Sequence, residues 1–110
     1  MVLTPVPQAD GTVKNRPAIV LREMPMYRDV LVCGVSTQLH QYVPGFDDLI
    51  SPADADFAAS GLVAPSLIRL GFLAVVPRRN ILGTIGAIAP ERHKRLLQAL
   101  SNYLLRNLGS

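Results

Sequence analysis

A chain of 110 residues, 49% of them apolar, makes one domain over residues 1–110 with a real core, and a domain that small gains from pairing with a second copy. Its formal charge of +3 is unevenly spread: Asp47, Asp48, Asp54 and Asp56 share a ten-residue stretch with no basic residue, so eleven Lys and Arg face four acids elsewhere. That balance suits a polyanionic partner. No apolar run reaches ~18 residues, which excludes a helical membrane span, and no basic-then-apolar opening marks a signal peptide; a cytoplasmic protein is expected.

In chain order, Val2 to Val6 reads as a brief edge strand, because Pro5 and Pro7 bar a central place in a sheet. Ala9-Asp10-Gly11-Thr12 is a turn signal. Ala18 to Leu21 and Val30 to Val35 read as buried strands, joined by the proline-bearing loop around Met24 to Arg28. Cys33, the single cysteine, forms no internal disulfide and reads as core filler. Gln41 to Ser60 is polar and turn-rich, a loop around one short strand. Leu67 to Leu70 and Phe72 to Val76 are further strands, and Ile81 to Ile88 is either a strand or a 3₁₀ turn. Pro90 and Glu91 suit the opening of a helix. Leu96, Leu97, Leu100, Tyr103 and Leu104 line one face of it, Arg92, Lys94 and Arg95 its exposed face, and Gly109 marks its stop. Short strands followed by one terminal helix predict a mainly β fold, a small barrel or curled sheet with a helix packed on it.

Several chemistries find no support. His40 and His93 stand far apart with no Cys or acidic partner at ligand spacing, so no metal site is expected. There is no G-x-S-x-G elbow, P-loop or dinucleotide fingerprint. At 5% aromatic content, no stacking platform for single strands is apparent. What remains is a pair of polar clusters beside buried strands. Lys14-Asn15-Arg16-Pro17 precedes the Ala18 strand, and Pro17 holds Arg16 extended. Ser36-Thr37-Gln38 leaves the Val30 strand. If those strands are neighbours, a guanidinium and a hydroxyl converge on one phosphate; otherwise both clusters are loop decoration.

At these residues the chain resembles the MazF/PemK toxins of type II toxin–antitoxin systems. "KNRPAIVL" is similar to that family's Arg-Pro strand entry, and "VLVCGVSTQ" to its strand ending in a hydroxyl pair. "SGLVAPSLIRLGFLAVVPRRNILGTIGAI" and "PERHKRLLQALSNYLL" resemble its later strands and terminal helix. The resemblance implies an SH3-like β-barrel that dimerises, needs no cofactor, and cleaves single-stranded RNA by attack of the 2′-OH, leaving a 2′,3′-cyclic phosphate. It implies Arg16 as the catalytic arginine, with Ser36 or Thr37 as the catalytic hydroxyl, and a cognate antitoxin protein as partner. Where some members carry an arginine and an acid, this chain has Ala64-Pro65-Ser66, so Ser66, His40 and Glu23 are the remaining candidates for moving protons. Lys14, Gln38, Arg69, Arg78 and Arg79 are candidate RNA contacts. Two rival readings on the same fold are a CcdB-type gyrase poison and an inactive homologue that only binds RNA or a partner.

Overall fold

The computed structural model describes residues 1–7 and 10–106. Six strands form one sheet: β1 (Val2–Pro7), β2 (Val13–Glu23), β3 (Val30–Ser36), β4 (Asp48–Ile50), β5 (Ser66–Val76) and β6 (Gly83–Thr84). Their order is β4-β5-β3-β2-β1-β6, and every pairing is antiparallel. A short helix α1 (Phe57–Ser60) follows β4, and helix α2 (Pro90–Leu104) ends the fold.

The central strands read as unbroken apolar runs because both of their faces are covered. Ile19, Leu21, Cys33 and Val35 point towards α2 and meet its Leu96 and Leu100. Val2, Ala18, Val30 and Val32 form a smaller cluster on the opposite face. Cys33 is fully buried, and burial pushes its thiol up to about 12, in keeping with a packing role.

The two ends of the sheet are drawn together. β6 lies at one edge and β4 at the other, yet the segment after β6 bonds to α1, which follows β4: Ala87 N–H donates to the Ala59 carbonyl at 2.8 Å. Ala89 N–H donates to the Asp56 carboxylate at 2.9 Å. Those bonds curl the sheet towards a barrel, with α2 across one face.

Several sequence expectations are corrected. β1 is interior, flanked by β2 and β6; but β6 reaches only Val2 and Leu3, so Pro5 sits where no second ladder needs its missing N–H. Lys14 to Pro17 lie inside β2 rather than before it. The two strands predicted around Gly71 are one, β5, with a bulge. The Gln41–Ser60 stretch holds α1 besides its strand and begins at the last residue of a 3₁₀ turn, Leu39–Gln41. In α2 the apolar stripe leaves the core at its end: Tyr103 and Leu104 are exposed. Arg92 is buried, because it stands four and eight residues before Leu96 and Leu100 on the same stripe. Asp10, Gly11 and Thr12 do turn, with Gly11 at φ +85° and Asp10 accepting from Thr12 N–H at 3.0 Å. Ala9 and Gly109 lie outside the described residues.

Candidate functional site

Alternation along the strands decides which side chains share a face. Arg16 and Ala18 on β2 project to the face away from α2, as do Val32, Gly34 and Ser36 on β3 and Arg69 on β5. Ala18 pairs with Gly34, the last pair of the β2–β3 ladder, and beyond it Arg16 and Ser36 line one cleft. Gly34 in turn pairs with Arg69, so two guanidinium-bearing strands flank the hydroxyl-bearing one.

The result is a cleft of about 440 Å³ with a polar end and an apolar floor. Arg16, Ser36, Thr37, Gln38 and Arg69 line the first; Val32, Phe72, Ala74 and Val76 line the second. Thr4, across β1 from Arg16, closes one side; its hydroxyl donates to the Asn80 carbonyl at 3.3 Å. Ser36 Oγ accepts the Gln38 N–H at 3.0 Å, a local turn that fixes the hydroxyl oxygen and leaves its O–H to donate elsewhere. Arg16 is exposed and permanently charged. Two guanidiniums and a hydroxyl pair on one concave surface, with no carboxylate side chain in its lining among the described residues, make a site for an anion such as a phosphodiester.

Comparison with known proteins places the chain in a family. The family model of the PemK-like, MazF-like toxins of type II toxin–antitoxin systems matches residues 1–104. The chain belongs to this family. Among solved structures, the Mycobacterium tuberculosis toxin MazF-mt6 superposes with a TM-score of 0.66 at 21% identity, over 97% of this chain and 99% of that one, a likeness of fold. No curated protein matches. The protein is thus a MazF-like toxin whose mainly β fold with a terminal helix is the one its sequence leads one to expect.

The remaining candidates of this toxin fall outside the cleft lining. Lys14 and Arg79 are exposed elsewhere, and His40 sits on the exposed 3₁₀ turn after Ser36. Ser66 is buried, its hydroxyl donating to the Ala64 carbonyl at 2.9 Å. Glu23 stands seven residues from Arg16 along β2, about 23 Å at the usual rise of a strand. There it accepts from Arg28 at 2.9 Å and from Arg78 at 2.7 Å, and its carboxyl is lowered chiefly by the Arg28 hydrogen bond. Arg78 is drawn into the same pair and away from the cleft.

Three features escaped sequence reasoning. Thr4 reaches the cleft through its pairing with Arg16 and Phe72 through the bulge in β5, neither of which periodicity can supply. The acidic stretch proves to be structural. Arg92 bridges Asp48 at 2.8 Å, Asp54 at 3.3 Å and Asp56 at 2.8 Å, while Asp47 accepts backbone N–H groups of Val43 and Leu70, each at 3.1 Å. The signal for Arg92 was its place in the helical stripe. A second hollow, about 410 Å³ and mostly apolar, lies under α2; there His93 Nε2–H donates to the Val20 carbonyl at 3.0 Å, which ties the imidazole to the sheet.

Proposed function

We propose that this toxin is a metal-independent endoribonuclease acting on single-stranded RNA, and so an inhibitor of translation and growth. The observation that carries the reading is the meeting of Arg16, on β2, with Ser36 and Thr37, at the end of the neighbouring β3, in one cleft. In this scheme the ribose 2′-oxygen attacks the adjacent phosphorus as its proton leaves. The bond to the 5′-oxygen breaks, that oxygen takes up a proton, and a 2′,3′-cyclic phosphate remains. Arg16 donates to the non-bridging oxygens, where charge builds in the pentavalent state; Ser36 or Thr37 adds a neutral donor. Fixed donors of this kind lower the barrier because they are already oriented when the charge appears. His40, four residues past Ser36, is the imidazole proposed to exchange the protons.

The 2′-OH requirement confines the reaction to RNA. Arg69 and Gln38 hold the strand on the same surface. The toxin works in the cytoplasm as a homodimer, silenced by a cognate antitoxin whose acidic, initially disordered segment folds onto the basic face. Incubating the purified protein with unstructured RNA in EDTA tests the scheme. Fragments ending in cyclic phosphate are expected, with the rate falling about 10²–10³-fold in Arg16→Ala. RNA left intact would refute it.

A further inference from the structure

The bulge in β5 has a consequence for the cleft floor. Between the pairs Gly34–Arg69 and Cys33–Leu73, three β5 residues, Leu70 to Phe72, face no β3 partner. Leu70 turns into the main core, held by its N–H to Asp47 Oδ1 at 3.1 Å. Phe72 turns to the other face and lies on Gly34: a Cβ at residue 34 would sit 2.8 Å from its Cδ1 and 3.4 Å from its Cγ. A side chain at 34 would displace that ring, so the bare glycine is what seats it.

A phenyl ring laid on backbone usually finishes buried. This one stays 48% exposed, inside the cleft that Arg16, Ser36 and Arg69 line. Burial of apolar surface is favourable, so a half-exposed aromatic ring in a cleft that two guanidiniums also line is complementary to a ligand that is both anionic and flat. A nucleotide is both, and ~440 Å³ falls within the usual range for sites that enclose small molecules.

We propose that Phe72 is a stacking platform for one nucleobase of the bound strand, next to the phosphate held by Arg16 and Arg69. The proposal rests on the reading of the cleft as a single-strand RNA site. It supplies what that reading lacks, a grip on a base in a chain of few aromatic residues. Stacking tolerates any base, since each has a π-face; it gives affinity and places the neighbouring phosphate, while base choice comes from other groups.

The chain has no tryptophan, so Phe72→Trp provides a single fluorescent reporter. The probes are octamers of 2′-O-methyl A, C, G or U, which cannot be cleaved for want of a free 2′-OH, and an abasic octamer of the same length. Base-bearing octamers should quench Phe72→Trp emission, and the abasic one should not. By calorimetry the unaltered protein and Phe72→Tyr should prefer base-bearing over abasic octamers by about five- to a hundred-fold. Phe72→Ala should lose that preference yet bind the abasic octamer as before. Gly34→Ala, which moves the ring, should lose it likewise; thermal melts check that the variants fold. Equal preference in Phe72→Ala and the unaltered protein would overturn the platform and leave the nuclease reading standing. Emission of Phe72→Trp already blue-shifted and indifferent to every octamer would mean that a second copy covers the ring, and would overturn it too. Failure of the unaltered protein both to bind octamers and to cut RNA would remove both readings.

Discussion

The Arg92 guanidinium grips the Asp56 carboxylate with two hydrogen bonds, from Nε at 2.8 Å and from Nη2 at 2.9 Å, where α2 begins. A bidentate pair of this kind fixes orientation as well as separation. The same guanidinium reaches Asp48 and the Leu49 carbonyl with Nη1, at 2.8 and 2.9 Å, and so ties the helix to β4.

Removing that cation leaves Asp54 and Asp56 facing each other without a counter-charge, and Asp48 with only the more exposed Arg95 at 3.0 Å. Arg92→Ala should therefore destabilise the fold by about 3–5 kcal/mol, a large share of what a small domain has. Arg92→Lys should recover only part of the loss, since an ammonium cannot reproduce the fork. Urea midpoints of the three proteins measure this directly. A midpoint unchanged in Arg92→Ala would contradict the structural role given to the acidic stretch.

Acid should act through the same pair. The Arg92 hydrogen bond, helped by Ala89 N–H, holds the Asp56 carboxyl down to about 2 from its ordinary 3.8. On lowering the pH, the unfolded chain takes up that proton first. The stabilisation, roughly 2 kcal/mol, is therefore whole above about pH 4 and is lost as pH falls towards 2. Asp56→Asn should flatten the acid limb of a stability–pH curve in that window, and an unaltered slope would count against it.

Gly86 packs against α1 with no room for a side chain: a Cβ there would collide with the backbone of Ala59 and Ser60. Gly86→Ala should push apart the contact that curls the sheet, at about 1–3 kcal/mol. Gly83, whose Cβ would meet nothing, is the control. Thermal midpoints of Gly83→Ala and Gly86→Ala should separate clearly, and equal midpoints would show that the contact is soft.

Arg69 tests the electrostatics of the cleft without touching Arg16. If it meets a phosphate, Arg69→Ala should weaken binding of all four 2′-O-methyl octamers alike. It should also reduce the slope of log K against log salt by about 0.7, the release of one counterion from a single strand. A loss confined to one base would instead make Arg69 a reader of sequence.

Local signals account for much of the molecule. The Pro90–Glu91 opening and the Leu96–Leu100 spacing define α2 within its actual bounds, and the runs at Ala18 and Val30 are the two strands that carry Arg16 and Ser36. Such features depend on neighbours three or four residues away, or on unbroken apolar character, and a linear chain displays both. The family pattern of Arg-Pro and Ser-Thr clusters is legible for the same reason. Tertiary structure alone decided the partners. Glu23 and Arg78 pair across 55 positions, Arg92 meets acids 36 to 44 residues upstream, and Phe72 finds Gly34 only because a bulge turns it to the cleft. Charge and aromaticity are properties of residues; what they neutralise or stack on depends on which strands lie side by side, and no local interaction encodes that.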